Sequence, residues 1–413
     1  MLTTGLNAVL GLAFWVAAAR LFSADLVGSG AGAISALMLV ASAGWVGLQY
    51  MLIRYLPVAG SAAARLMFMT YAAATGVAVL VAIGFLAFIA RGLDVGFLAA
   101  SAIAVAGFIA AVAAWVVFSL QDAALTGLRR ALWLPAENTA FGAAKLVLLV
   151  ALAGIASPWA IFAAWTVPTV VLIAIINGLI LTRVTPRPRR SASLPPRRGL
   201  VRFAAGHHAV ALVAAVPDSL VPLLVIDLVS PRANGFYYAA WTVSYSMRLL
   251  TVNIANAMTV EGALDQRNVR RLLKDAARLG GWVLIPAVVI GVAGAGPILQ
   301  LFGGEYGHEA SDLLRLLILS VIPFGAISVA LAVERLRQRV APALAIAATS
   351  TGITLLLDLL LIPSMGILGA GVGWLAAQVA VAVGALGLLG LRRRQPAAGA
   401  PSVAPRPGGR RAA

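Results

Sequence analysis

Long apolar runs, broken by short stretches where arginine, proline and glycine gather, make up nearly the whole chain. The first two runs set the pattern: FWVAAARLFSADLVGSG continues through a second run that closes on LIRYLP, with Arg20 near the end of one and Arg54 at the end of the other. A bilayer core of ~30 Å takes about 20 apolar residues per helix. The pattern therefore predicts twelve spans: Leu2–Leu21, Val27–Gln49, Leu66–Ala90, Val95–Leu120, Trp133–Ala156, Pro158–Leu181, Phe203–Leu228, Gly235–Val260, Gly281–Phe302, Leu313–Val333, Val340–Ile362 and Ile367–Leu391. Glu137 and Asn138 interrupt the fifth near its start.

Between the sixth and seventh spans, RVTPRPRRSASLPPRRGLVR (183–202) is too rich in Arg and Pro to pack a core and reads as a cytoplasmic linker. It separates an N-terminal six-helix lobe (1–182) from a C-terminal one (203–391), and the Arg/Pro/Gly/Ala tail (392–413) reads as disordered. LDQRNVRRLLKDAARL (264–279) carries Val269, Leu272, Leu273 and Ala276 at helical spacing, as an amphipathic helix lying on the inner membrane surface would.

Composition agrees with lipid as the solvent: 62% of the 413 residues are hydrophobic and 11% charged, where soluble domains carry about 25% charged. The net charge of +17 changes meaning once it is placed. One set of alternate loops holds Arg54, Arg65, Arg129, Arg130, the linker arginines, the basic residues of 267–278, Arg335, Arg337, Arg339 and the tail arginines. The other set holds only Arg20, Arg91, Arg232 and Arg315. The positive-inside rule puts both termini in the cytoplasm of a multi-pass plasma-membrane protein. The charge is mostly topology, with attraction to anionic membrane lipids second, and nucleic-acid binding is set aside. There is no cysteine, hence no disulfide and no thiolate site. No cleavable signal peptide is evident, and because the first run begins at Met1 the natural N-terminus is expected to be longer.

Six spans on each side of the linker imply two halves inserted in the same orientation. At an offset of 207, Ser23 meets Ser230, Gly28 meets Gly235 and Ala33 meets Ala240, while Arg20 meets Asp227 and Arg54 meets Glu261. Leu128-Arg129 meets Leu336-Arg337 at 208, and Trp165 meets Trp374 at 209.

A charge at mid-membrane costs at least ~2.5 kcal/mol and is retained where it faces a bundle interior or a wet cavity. Arg248 lies in the middle of the eighth span, either as a contact for an anionic substrate or as the partner of Asp218 in the seventh. Lys145 follows Glu137 by eight residues, which puts them on roughly one helix face. That spacing suits either a Lys–Glu pair or a part in substrate or proton handling. Asp358 has no obvious sequence partner, and reads as a coupling carboxylate or a buried acid. Pro217 and Pro222 flank Asp218 near mid-depth, where transporters interrupt helices, a simple kink being the alternative. The glycine clusters at 28–32 and 369–373 follow no strand and read as close helix packing. His207 and His208 read as interfacial, and GGEYGHEASD (303–312) as a solvated outer loop. No P-loop, HExxH motif or nucleophile–histidine–acid set appears, so no enzyme, metal or cofactor is expected.

FWVAAARLFSADLVGSG, LIRYLP, QDAALTGLRRALWLPAEN followed by KLVLL, PLLVIDL before FYYAAW, and LFGGEYGHEASDLLRLL occur in that order along the chain. The series resembles the polysaccharide-export branch of the multidrug/oligosaccharidyl-lipid/polysaccharide (MOP) exporter superfamily. The resemblance implies an all-α, MATE-like membrane fold of twelve helices in two six-helix lobes around a central cavity. It also implies a polyprenyl-diphosphate-linked oligosaccharide as cargo, with a polysaccharide polymerase and glycosyltransferases as expected partners. Arg20 and Arg248, with Arg54 as a third, would be its phosphate-binding cations, and Lys145 is added from its depth. Asp218, Glu137 and Asp358 are the candidates for ion coupling. A drug or metabolite exporter of the same fold, or an integral transferase, remains as the alternative.

Overall fold

The computed structural model describes residues 2–45, 47–88, 95–184, 197–264, 269–337 and 339–392. Among these there is no strand, and twelve helices of membrane length follow one another. They are α1 Leu2–Leu21, α2 Ala24–Trp45, α3 Ala63–Phe88, α4 Ala102–Gly127, α5 Leu134–Ala151, α6 Pro158–Leu179, α7 Arg197–Leu228, α8 Pro231–Leu264, α9 Val269–Ala293, α10 Ser311–Leu336, α11 Val340–Met365 and α12 Ile367–Arg392. Nine of the described segments are long and apolar enough to cross a membrane on length and composition alone. Helices α1 and α9 contribute shorter apolar segments, Gly5–Leu21 and Gly280–Ala293. Helix α8 completes the twelve despite Asn234, Arg248, Asn253, Asn256 and Glu261 along its length.

Local chemistry sets the helix ends. The Ser101 and Ser157 hydroxyls accept from the Ala104 and Trp159 amides at 3.1 and 3.3 Å, capping α4 and α6. The repeat-related Ser23 and Ser230 do the same for α2 and α8, accepting from Leu26 N at 3.4 Å and Ala233 N at 3.1 Å. Gly47, at φ 65°, ends the second span early and starts a separate short helix, Leu48–Tyr55, that carries Arg54.

Two expectations are corrected and one pair of alternatives is narrowed. Of the two readings of Pro217 and Pro222 the interruption is not seen: helix α7 runs unbroken through both, because neighbouring helices and local adjustment tolerate proline in a membrane bundle. No separate surface helix covers 269–279: that stretch is the first part of α9, continuous with the apolar part. The 303–312 segment is a packed helical turn, with Gly304–Glu309 helical and Tyr306 3% exposed against Phe236 and Phe302. Most of the Arg/Pro linker and nearly all of the tail lie outside the described residues, as do residues 265–268 and the side chains of His207 and His208.

The two six-helix lobes meet along α2, which packs on α7 and α8 of the other lobe, and α1 also touches α8. The approach is closest where the repeat pairs two glycines. A Cβ on Gly28 would collide with the Pro231 carbonyl, and one on Gly235 with the Ala24 carbonyl. Asn234, fully buried, locks the crossing by donating its Nδ2 to Gly28 O at 2.7 Å.

Candidate functional site

Among the described residues Arg248 is the buried cation of the C-terminal lobe, 3% exposed on α8. Its Nη1 donates to Asp218 Oδ1 on α7 at 3.2 Å. Its guanidinium carbon lies 4.1 Å from the Trp241 ring centre, 4.9 Å from Trp374, 5.2 Å from Tyr245 and 5.3 Å from Phe324. A guanidinium among π faces gains electrostatically from each ring. Even so, Arg248 Nε and Nη2 are buried with no hydrogen-bond acceptor. A cavity of about 200 Å³ lies alongside, lined in part by Asp218, Asn256, Arg335, Ser350, Trp374 and Gln378. The sequence raised the Arg248–Asp218 pair as one of two readings. The aromatic enclosure it did not reveal.

Lys145 is its counterpart in the N-terminal lobe, 5% exposed on α5. Its Nζ sits 3.8 Å from the Trp165 ring centre and 5.1 Å from those of Phe14 and Phe141. Among the described residues no carboxylate lies within ion-pair distance of it, and the Lys145–Glu137 pair is not formed. Eight residues of helix rise about 12 Å, too far for a direct pair. Glu137 instead accepts from Gln121 Nε2 on α4, and Gln121 Oε1 accepts from Asn177 Nδ2 on α6.

The other candidates sit apart from these two. Asp358, fully buried on α11, packs against Gly373, where an added Cβ would meet its Oδ1, and neither carboxyl oxygen has a hydrogen-bond partner. The neighbouring Thr354 Oγ1, one turn earlier, is likewise unpartnered. Arg54 is exposed on its short helix, 5.6 Å over the Tyr55 ring. Arg20 is exposed at the end of α1 and reaches the opposite lobe, where Nε donates to Leu301 O at 2.8 Å and Nη2 to Gln300 O at 2.7 Å. Those carbonyls close the short helix Ala295–Gln300, and a cation there meets the negative end of the helix dipole. The Gly28–Gly235 crossing, the Asn234 lock and the Arg20 clamp all lie at the arginine-poor end of the bundle, and join the lobes there. On the seam, the Trp15 ring of α1 packs against that of Tyr238 of α8, 4.5 Å between centres and tilted by 54°.

No family model matches the sequence, and no curated protein matches it. Solved structures do match its fold. A lipid II flippase MurJ in an inward closed conformation is 13% identical, with a TM-score of 0.75 over 94% of this chain and 87% of that one. An inward-facing multidrug resistance MATE family transporter of the MOP superfamily is 16% identical, with a TM-score of 0.65 over 94% of each chain. The Vibrio cholerae MATE transporter VcmN is 17% identical, with a TM-score of 0.59 over 95% of this chain and 99% of that one. The expected all-α, MATE-like fold is therefore shared with these structures.

Proposed function

We propose that the chain is a flippase that carries a polyprenyl-diphosphate-linked oligosaccharide across the plasma membrane by alternating access. One observation carries this assignment. Arg248 lies behind Asp218 and Trp374, which line a cavity, and two of its buried N–H groups, Nε and Nη2, have no acceptor. Unmade hydrogen bonds to a buried charged group are costly, and a phosphate oxygen is the natural acceptor for a guanidinium. Lys145 adds a second buried cation that, among the described residues, has no carboxylate partner. The diphosphate is the part of such a cargo that lipid rejects; these cations would replace its hydration while the prenyl tail stays in lipid. The flippase among the structural neighbours is named for a lipid cargo, lipid II.

In the proposed scheme residues 1–182 and 203–391 are the moving lobes, both termini are cytoplasmic, and the arginine-poor end is the closed outer gate. Arg20 then has two tasks in turn. It clamps the closed gate through Gln300 and Leu301, and on opening its donors are released toward the cargo. Asp218, Glu137 and Asp358 are the coupling candidates, Asp358 because both its carboxyl oxygens are buried without a partner. A polysaccharide polymerase and glycosyltransferases would supply and consume the cargo. Export of a multidrug type is the second reading, favoured by Asp218, which neutralises Arg248 at the cavity.

The test is polysaccharide export by Arg248→Ala and Arg248→Lys variants at matched membrane expression. Export falls at least tenfold with alanine and partly recovers with lysine; unchanged export in both rejects the assignment. Drug hypersensitivity of a deletion strain with normal polysaccharide would favour the second reading. The chain has no cysteine of its own, so the gate can be probed directly. A cysteine replacing the buried Ser35 of α2 should react faster with an impermeant outside maleimide when Arg20 is changed to Gln. Equal rates would remove Arg20 from the gate.

A further inference from the structure

Helix α9 presents two unlike faces. The face toward the bundle is apolar: Leu284 and Val288 are buried, and a Cβ on Gly291 would meet Ile318 of α10 and Met247 of α8. The opposite face is a single stripe. At about 100° per residue, Arg271, Lys274, Arg278, Trp282, Ile285 and Val289 fall within about 60° of one line along the helix. All six are exposed, Trp282 by 77%, Ile285 by 54% and Val289 by 62%. The stripe keeps one face while its chemistry changes in order, from cations to an indole to aliphatic side chains.

Folding does not use up these charges. Arg271 pairs with Asp275, one turn on, at 3.7 Å. Among the described residues Lys274 and Arg278 contact no carboxylate. Spacing along the axis then selects the ligand. At 1.5 Å per residue, Arg278 stands about 6 Å and Lys274 about 12 Å before Trp282, and Val289 about 10 Å after it. Tryptophan favours the membrane–water interface, and the headgroup layer of one leaflet is about 5–8 Å deep. With Trp282 at the edge of the hydrocarbon, Arg278 is level with the phosphates. Lys274 reaches down to them along its flexible stem, and Ile285 and Val289 run beside the acyl chains. Arg271, about 16 Å from Trp282, lies beyond that layer. An acidic protein or a nucleic acid would meet the cations but leave the indole and the aliphatic residues unmatched.

We propose that the outward face of α9 binds an acidic phospholipid of the leaflet at the arginine-rich end. Lys274 and Arg278 hold its phosphate, Trp282 lies at its glycerol backbone, and Ile285 and Val289 lie along an acyl chain. Such a site differs from the diffuse attraction of many arginines to a charged membrane, because two cations on one helix face carry it. It stands whether or not the chain is a flippase.

The test is native mass spectrometry of the full chain, purified in detergent and given equal amounts of phosphatidylglycerol and phosphatidylcholine with the same acyl chains. Choline cancels the phosphate charge of the second lipid, and each cation near the surface favours the acidic one by about fivefold. For the first lipid bound, the wild type therefore prefers phosphatidylglycerol by at least about tenfold. Lys274→Gln with Arg278→Gln lowers the preference below about twofold. Arg65→Gln with Arg130→Gln removes the same charge from exposed positions elsewhere at that end and keeps it. Trp282→Ala weakens retention of both lipids alike. Equal retention of the two lipids by the wild type, a preference that survives in the α9 double variant, or an equal fall in the control variant overturns the proposal. So does displacement of the bound lipid by glycerol phosphate, which would assign the cations to a soluble phosphate.

Discussion

Lys145 and Arg248 are the same device built in two ways. Among the described residues each is the buried cation of its lobe, and each lies against the tryptophan that the internal repeat pairs, Trp165 in one lobe and Trp374 in the other. Arg248 has a carboxylate as well, Asp218 at 3.2 Å, and four rings around it. Lys145 has three rings and, among the described residues, no carboxylate. In the C-terminal lobe the charge is neutralised where it sits, and the guanidinium keeps two buried donors, Nε and Nη2, without an acceptor. In the N-terminal lobe the contacts that offset the charge are, among the described residues, π faces. Together the two devices place two cations against one contacting carboxylate, a surplus suited to an anion and ill suited to an organic cation.

The largest expected effect breaks this comparison by removing each cation in turn. Arg248→Ala strands Asp218 and empties the ring enclosure. Removing one partner of a buried pair costs about 3–5 kcal/mol, and Asp218, a third exposed, puts this case near the lower end. Lys145→Met removes a desolvated charge that has no carboxylate to strand, so stability stays within about 1 kcal/mol of the wild type. Chemical denaturation of the purified protein measures both. A loss at Lys145 as large as that at Arg248 would mean that Lys145 has an ionic partner after all.

The two devices also differ in how far they can be read from sequence. Twelve spans follow from run length and from the alternation of arginine-rich and arginine-poor loops, and the structure carries twelve helices there. Arg248 and Asp218 could be paired because two lone charges at matching depth in consecutive spans have few other choices. Lys145 pointed the wrong way, since a shared helix face says nothing of the two turns that separate it from Glu137. Gln121 and Trp165, which take the two ends of that supposed pair, belong to other helices. The match of Trp165 with Trp374 was the available signal, and it became meaningful only once each ring was seen against a cation. Arg20 reaches carbonyls 280 and 281 residues away, a backbone contact that leaves no mark on side-chain identity. The turn at 303–312 was misread because its charges outweighed Tyr306, the residue that packs it.

The smallest effect sharpens the comparison by asking how much each tryptophan contributes to its cation. Changing Trp to Phe weakens the π face but also removes volume, and Trp374 is more deeply buried than Trp165, so single variants would mix two causes. Double-mutant cycles separate them, because the packing loss cancels when the cation is already absent. Lys145 depends on Trp165, which stands 3.8 Å from its ammonium while the other two rings are 5.1 Å away. A desolvated cation–π contact of that kind is worth up to about 2 kcal/mol. For Trp165→Phe with Lys145→Met a coupling of about 1 kcal/mol is expected. Arg248 shares itself among four rings and Asp218, and Trp241 is nearer to it than Trp374. Trp374→Phe with Arg248→Gln should therefore couple by less than about 0.5 kcal/mol. Equal couplings would mean that Lys145 does not depend on its rings, and the contrast between a neutralised cation and one held by aromatic faces alone would fall.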